Sequence, residues 1–404
     1  MKGHYDIIII GGGAAGFFTA INIATKNPNL SIAIFERGKN VLSKVKVSGG
    51  GRCNVTHACF DPSELVLNYP RGEKELLGPF HRFACGDTFA WFEERGILLN
   101  IEEDGRVFPI SNTSQTIIDC FLSETNKLGI EIIKNNGVDH FYQEESSWVL
   151  ETKRGVFYTD KLVVTAGSSP KIWSLFKELG HRIIEPVPSL FTFNIDDKRI
   201  QDIPGVVVDH VEVEVLNTSL SSEGPLLITH WGLSAPSILK LSAFGARELA
   251  EMDYHFNVKI NFIQQDLQEC QEYLKQIKQR DAKKFVAKNN QYELPKRLWK
   301  KLVLAANISE ETKWADLNKA QLLKLSEQLT QAIFKVAGKS TFKEEFVTAG
   351  GIDLKEIDFK RFESKLFKNL FVAGEVLNID AITGGFNFQN AWTGGFIISE
   401  AITA

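Results

Sequence analysis

The chain opens on four consecutive isoleucines, Ile7 to Ile10, inside "YDIIIIGGGAAGFFTAINIATKNPNLSIAIFERG". An unbroken apolar run of this length predicts a strand over residues 5 to 10, buried on both faces of a parallel sheet. The apolar period then becomes helical, and a helix is expected to run to about Lys26, before Asn27-Pro28 stops it. "LSIAIFE" predicts a second strand that ends at Glu36. Together these segments form one βαβ unit.

Further along, "VVVDHVEVEVL" (206–216), "PLLITH" (225–230) and "YHFNVKINF" (254–262) alternate or run apolar at strand length. They predict an antiparallel sheet or small barrel. From about 263 to 337 the spacing is helical again, through Leu267, Cys270, Leu274 and Ile277, then Leu322, Leu325, Leu329 and Ile333. Two later apolar strands, "DKLVVTAGSSP" (160–170) and "LFKNLFVAGEVLN" (366–378), end in Thr-Ala-Gly and Gly374-Glu375. The expected organisation is therefore a nucleotide-type α/β domain over 1–187 and 349–404. A β-rich domain is expected over 188–262 and 338–348, and a helical insert over 263–337.

The first glycine loop carries the sharpest chemistry. Gly11, Gly13 and Gly16 have the G-x-G-x-x-G spacing between a strand and a helix. Gly11 permits the tight turn, Gly13 lets a pyrophosphate approach the backbone, and Gly16 lets helix and strand pack closely. The helix start, with Ala14 and Ala15, then offers free N–H groups to phosphates. Glu36 ends the second strand about twenty residues on, where a carboxylate accepts ribose hydroxyl hydrogens and disfavours a 2′-phosphate. Arg37 follows it. A Rossmann-like, dinucleotide-binding fold is the expectation.

A second glycine run, "VSGGGRCNVTH" (47–57), stands about thirty residues later. Its backbone, Gly49 to Gly51, suits the close approach of a flat ring. Lys44, Ser48, Arg52 and Asn54 surround it with polar groups. Cys53 reads as a small packed residue rather than a nucleophile, because no partner thiol is near it in sequence.

Composition narrows the class. With 404 residues, 44% hydrophobic and 24% charged, and a net charge of −4, the chain reads as a globular protein with no overall nucleic-acid or membrane signature. The 29 phenylalanines and two methionines suggest no function. Five cysteines at 53, 59, 85, 120 and 270 show no CxxC spacing, so no zinc site, disulfide framework or redox dithiol is expected. Gly11, Gly12, Gly13 and Gly16 interrupt the apolar start, so no signal peptide or membrane span is expected there, and the expected location is cytoplasmic.

The motifs in order, "SGGGRCNVTH", "GRVFP" (105–109), "LLITHWGLSAP" (226–236), "VTAGGIDLKEI" (347–357) and "VAGEVLNIDAITGGFNFQNAW" (372–392), resemble the BaiN-like (YhiN-like) bacterial flavoproteins, some of them aminoacetone oxidase-like. The likeness covers nearly the whole chain. It implies a two-dinucleotide-binding flavoprotein fold and tightly held FAD. It also implies cofactor contacts at Ala166-Gly167, Gly374-Glu375 and Asn387, Phe388, Gln389 and Asn390. Val138, opening a short strand after "KNNG", is expected to touch adenine through its backbone. Asn387 is expected to cap a helix starting near Phe388 and aimed at the flavin.

The chain departs from that family's pattern in three places. The glycine-rich stretch after Ala166-Gly167 is missing, Ser234-Ala235-Pro236 replaces Ser-Gly-Pro, and Asn378 replaces Asp. FAD binding is expected to survive these changes, while the substrate pocket and nicotinamide access are expected to differ.

The expected activity is hydride transfer between a small organic substrate and flavin N5. His230, in "THWGLS", and Arg52 are the catalytic candidates. No second G-x-G-x-x-G occurs, so a separate NAD(P)H-binding domain is not expected, and the candidate reductants are an organic substrate or NAD(P)H docking transiently on the flavin face. Two alternatives remain. Residues 275 to 301 carry ten Lys/Arg against two Asp/Glu, with Phe285, Tyr292 and Trp299 interleaved, so one alternative is an RNA-binding or RNA-modifying flavoprotein. A solvated helical face is the favoured account of that cluster. The other alternative is a non-catalytic FAD-binding protein. The substrate and oligomeric state are not legible.

Overall fold

A computed structural model describes residues 3–340 and 347–404. They form two compact units, Met1–Val187 with Lys343–Ala404, and Pro188–Phe342.

The first unit is built on a parallel sheet. Strand β1 (Gly3–Ile10) pairs in parallel with β2 (Ile32–Phe35) on one side and with the strand Gly155–Val164 on the other. Leu370–Val372 extends the sheet past Gly155–Val164, and Glu131–Ile133 extends it past β2, both in parallel. Ile7 to Ile9 have no solvent exposure, as a two-sided apolar run requires. Strands Val138–Glu144 and Ser147–Thr152 form an antiparallel hairpin that joins the sheet at Gly155–Val164.

Helix α1 (Ala14–Lys26) packs against the helix Phe386–Thr403. The contact is close because Gly395 faces α1: a Cβ there would meet Thr19 Oγ1 at 2.9 Å and the Ala15 carbonyl oxygen at 3.3 Å. The many aromatic residues find their place around this contact. The Phe18 ring lies 4.6 Å from Trp91 and 5.2 Å from Trp392.

The second unit holds an antiparallel sheet of Val207–Val215, Ser221–Ile228, Gly232–Ser234, His255–Asn261 and Ala332–Ala337, with Thr192–Asn194 and Lys339–Ser340. Helices Leu267–Arg280, Lys296–Ala305 and Lys319–Thr330 cover one apolar side of it.

One expectation is corrected here. The helical segment does not reach 337: it ends at Thr330, and Ala332–Ala337 is a strand paired with His255–Asn261. Ile333 lies four residues after Leu329 and so imitates a further helical turn. Its side chain is 52% exposed, while Ala332, Phe334 and Val336 alternate inward at the strand period. Part of the expected 338–348 segment lies outside the described residues.

Among the described residues, no helix is long and apolar enough to cross a membrane, and no His, Cys, Asp and Glu group has a metal-holding arrangement.

Candidate functional site

The predicted glycines of the first loop divide by what surrounds them. A Cβ on Gly11 would lie 2.5 Å from the Thr165 carbonyl oxygen, and one on Gly16 would lie 2.1 Å from the Gly11 carbonyl oxygen. Both positions are closed by the protein itself. A Cβ on Gly13 would meet nothing within 4 Å. The packing therefore does not demand glycine there, but a ligand lying on the backbone would. Gly13 caps α1 without a side-chain bond, and the first turn holds no acidic residue. The N–H groups of Ala14, Ala15 and Gly16 have no acceptor among the described residues. This is an uncapped positive helix end facing open space.

Glu36 braces the loop. Its Oε2 accepts the Gly12 N–H at 3.0 Å and its Oε1 accepts the Gly38 N–H at 2.6 Å. The same corner holds Arg37 and the loop before Val138. Asn136 N–H donates to the Glu36 carbonyl at 2.8 Å, and a Cβ on Gly137 would lie 3.2 Å from Arg37 Cβ. Val138 opens the strand Val138–Glu144 and is buried. The Asn136 side-chain amide is buried there with no partner for either atom among the described residues. It is a polar group that the sequence reading missed.

The helix start and the two later motifs converge. A Cβ on Gly374 would stand 3.6 Å from Ala15 Cβ, and one on Gly167 would stand 3.7 Å from Glu375 Oε2. Lys44 pairs with the same Glu375 oxygen. Ala166 and Gly167 follow the strand Gly155–Val164, so sheet register delivers them to the loop: the Thr165 hydroxyl donates to the Ile10 and Gly11 carbonyls at 3.2 and 3.1 Å.

The second glycine run sits on α2 (Ser43–Gly51), which kinks at Ser48 to Gly50. Gly49, Gly50 and Gly51 have φ of +56°, +68° and +85°, the left-handed region that favours glycine. Gly49 is closed by the Phe108 ring and Asn54 N, at 2.8 and 2.9 Å from a Cβ. Gly50 and Gly51 face open space. The surrounding side chains hold the loop. Ser48 Oγ donates to the Val45 carbonyl at 2.9 Å, and Asn54 Oδ1 accepts the Val107 N–H at 3.3 Å. Arg52 donates to Glu102 Oε1 at 2.6 Å and lies 3.8 Å over the Phe108 ring. Cys53 is fully buried, and burial pushes its thiol up to about 12, so it is a packed residue without a ready thiolate.

The helix Phe386–Thr403 begins two residues earlier than expected, and Asn387 is not its cap. Gly385, with φ +95°, is the N-cap and supplies no side-chain bond. Asn387 folds back instead: its Oδ1 accepts the Ala381 N–H at 3.1 Å and its Nδ2 donates to the Ala381 carbonyl at 3.3 Å. The N–H groups of Phe386, Asn387 and Phe388 have no acceptor among the described residues, which leaves a second uncapped helix end. Phe388 stacks on Trp392 at 5.5 Å. Gln389 is spent on the protein: its Oε1 accepts from Thr56 at 2.6 Å and Thr88 at 2.9 Å, and its Nε2 donates to Thr393 at 3.1 Å. Its main chain is engaged as well: the N–H donates to the Gly385 carbonyl at 3.0 Å and the carbonyl accepts from Thr393 Oγ1 at 2.8 Å. Asn390 is 1% exposed, and its Oδ1 has no partner among the described residues.

Neighbours that sequence did not suggest hold this helix start. The His57 ring stacks on Phe386 at 4.5 Å, its Nδ1 is 3.1 Å from the Gly384 carbonyl, and burial holds its pKa below the usual imidazole value. Tyr69 OH donates to the Phe386 carbonyl at 2.6 Å. Arg71 makes a two-pronged pair with the fully buried Asp380. A lone acid inside the apolar "NIDAITGG" was the available signal.

His230 belongs to the second unit. It is exposed between the strands Ser221–Ile228 and Gly232–Ser234. Neither of its ring nitrogens has a partner among the described residues.

The residues present fit FAD. Gly13 is a place where only a ligand would exclude a side chain, Gly50 and Gly51 turn bare left-handed backbone to open space, two helix ends offer free N–H groups, and Asn390 keeps an orphaned oxygen.

Comparison with known proteins places this arrangement. A ribosomal RNA dihydrouridine synthase of Haemophilus influenzae is 27% identical over 418 residues, covering 100% of both chains. A 3-dehydro-bile acid delta(4,6)-reductase of Clostridium scindens is 24% identical, covering 97% of this chain and 98% of its own. Among solved structures, the 3-ketosteroid-Δ4-(5α)-dehydrogenase of Rhodococcus jostii aligns with a TM-score of 0.53 at 12% identity, over 100% of this chain and 97% of that one. It shares the fold. The HI0933-like protein Rossmann domain matches residues 5–401, so the chain belongs to this FAD-binding flavoprotein family.

Proposed function

We propose that the protein is an FAD-dependent oxidoreductase that adds hydrogen across, or removes it to form, a carbon–carbon double bond conjugated to a carbonyl. The observation that carries the reading is the set of backbone surfaces at Gly13, Gly50 and Gly51, which face open space beside two uncapped helix ends. Two full-length relatives with different substrates supply the bond type. Dihydrouridine differs from uridine by one saturated double bond beside a carbonyl, and a delta(4,6)-reductase acts on double bonds by name.

When bound, FAD supplies a hydride donor and acceptor at N5. The chain's own residues do the rest. The start of α1 would hold the diphosphate, and Glu36 fixes the loop that would receive the ribose. Lys44 and Glu375 would hold the intervening chain. Gly50, Gly51 and the free N–H groups at the start of Phe386–Thr403 would hold the ring. Saturating the double bond places a hydride on one carbon and a proton on the other. His230, whose ring nitrogens have no partner among the described residues, is the proposed proton donor. Arg52, held by Glu102 and Phe108, positions the glycine run. NAD(P)H docking transiently is the proposed reductant.

A uracil ring within RNA is the second reading of the substrate. Lys275, Lys283, Lys288, Lys296 and Arg297 have no ion pair among the described residues, and all are outward-facing. The interleaved aromatics do not add to it: Trp299 is buried and donates to the Val286 carbonyl at 2.9 Å. A free small molecule is the leading substrate class.

The test is anaerobic. Reduced holoenzyme is mixed with cyclic enones, uridine and a uridine-rich RNA, and return of the yellow colour is followed beside the saturated product. Reoxidation by a conjugated double bond supports the reading. A reduced flavin that reacts with none of them counts against it.

A further inference from the structure

We infer that Nη1 of Arg71 is the hydrogen-bond donor to the substrate's carbonyl oxygen; this rests on the proposed reaction, whose substrate carries a carbonyl-conjugated double bond. Arg71 pairs through Nε and Nη2 with both carboxylate oxygens of Asp380, which is itself fully buried. The third nitrogen, Nη1, has no acceptor among the described residues, and it meets open space rather than protein. The Arg71 side chain is only 12% exposed. Arg199, buried to a similar degree at 13%, donates from all three of its nitrogens to protein oxygens. Arg71 instead keeps one corner of its guanidinium for an acceptor from outside the chain.

The backbone fixes where that corner stands. Residues 68 to 72 lie along 379 to 382: the Ile382 N–H donates to the Asn68 carbonyl at 3.0 Å, Arg71 and Asp380 form an antiparallel bridge, and a Cβ on Gly72 would stand 2.9 Å from Ile379 Cγ1. Ala381, next to Asp380, holds the Asn387 amide through its N–H and carbonyl, at 3.1 and 3.3 Å, and Tyr69 OH donates to the Phe386 carbonyl at 2.6 Å. Phe386 and Asn387 open the helix whose free N–H groups would hold the flavin ring. The guanidinium is thus tied to the same few residues as the ring's proposed seat, and all of these groups lie in the first unit.

The proposed reaction calls for such a group. When a hydride joins the carbon β to the carbonyl, the electron pair of the double bond moves toward the carbonyl and its oxygen becomes an enolate oxygen. A proton then joins the α-carbon and the carbonyl re-forms. Negative charge develops on that oxygen, and a donor already aimed at it lowers the barrier. The two-pronged pair with Asp380 holds the guanidinium in one orientation, which a lysine ammonium in the same place would not keep.

The test uses oxidised holoenzyme and para-chlorophenol, whose phenolate oxygen imitates the enolate oxygen and whose ring gives a long-wavelength charge-transfer band when stacked on oxidised flavin. Wild type is compared with the double variant Arg71→Met/Asp380→Asn, in which no buried charge is stranded, and with Arg71→Lys, whose single ammonium is held by Asp380. We expect the band in the wild type, and phenol binding about ten- to hundredfold weaker in both variants, the loss of one charge-assisted hydrogen bond. Reoxidation of the reduced enzyme by cyclohexenone is expected to slow about a hundredfold in both, with FAD content unchanged. A pair that serves only stability predicts the opposite: the double variant then binds the phenol as the wild type does. No band in the wild type, wild-type phenol affinity in either variant, or a variant that loses its flavin overturns the contact. Cyclohexenone reduced at the wild-type rate by either variant overturns the contact and leaves the reaction standing. A band confined to the wild type, in an enzyme that reduces no conjugated double bond, supports the contact and counts against the proposed reaction.

Discussion

Glu36 accepts the Gly12 N–H at 3.0 Å, so the acid that ends the second strand also sets the shape of the first glycine loop. With the Gly38 bond at 2.6 Å, one carboxylate restrains two turns. Glu36→Ala therefore disorders the loop as well as removing a ribose acceptor. Hydrogen bonds to a charged group are each worth about 1.5–3 kcal/mol. FAD affinity is expected to fall by roughly tenfold to a hundredfold. Equilibrium dialysis of apoprotein with FAD measures it.

The two ends of the glycine motif predict opposite behaviour. Gly16→Ala drives a Cβ into the Gly11 carbonyl, 2.1 Å away, between rigid elements. Overpacking of this kind costs about 1–3 kcal/mol or more, so the apoprotein melts earlier. Gly13→Ala meets nothing within 4 Å, and its φ of −98° suits any residue. Its apoprotein is expected to melt with the wild type. Calorimetry of the two apoproteins separates a glycine kept for packing from one kept for a ligand.

His181 links stability to pH. It is 2% exposed, its Nε2 sits 2.9 Å from Ser364 Oγ, and burial lowers its pKa to about 4. The unfolded chain binds a proton near 6.5 and the folded chain resists until about 4. Stability from this group is complete above 6.5 and falls as pH drops through that window, by up to about 3 kcal/mol at 1.36 kcal/mol per pKa unit. Urea unfolding at pH 7.5 and 5 is expected to show the loss, and His181→Phe to reduce it.

Cys53 is expected to be inert. Its thiol is fully buried and pushed up to about 12. Iodoacetamide at neutral pH leaves it unlabelled in the folded holoenzyme, and Cys53→Ala keeps its flavin. Fast labelling at Cys53 in peptide mapping would contradict this.

Asp380 and Arg71 are expected to stabilise the start of the helix Phe386–Thr403 as a pair. Removing one member of a buried ion pair strands the other and costs about 3–5 kcal/mol. Asp380→Asn and Arg71→Met should each lower the melting temperature. The double variant should be less impaired than the sum of the two.

The βαβ unit was legible because its signals are local: an apolar run, a glycine spacing, an acid at a strand end. So were the second unit's strands, since period-2 patterns do not depend on distant partners. Ile333 misled because one helical step and one strand face coincide at that residue, and only pairing with His255–Asn261 decides between them. Asn387 misled because a cap is read from residue type, whereas Gly384 and Gly385, with φ of +127° and +95°, start the helix earlier and turn the amide back to Ala381. The Arg71–Asp380 and Thr56–Gln389 contacts join residues more than 300 positions apart, and nothing in local spacing announces them.

The measurement closest to the central claim is titration of the apoprotein with FAD, wild type beside Gly13→Val, with circular dichroism of both. The account predicts one FAD per wild-type chain, retained through desalting, and a Gly13→Val chain that folds as well yet stays colourless. A wild-type chain that takes up no FAD, or a Gly13→Val chain that holds it equally well, would contradict the account.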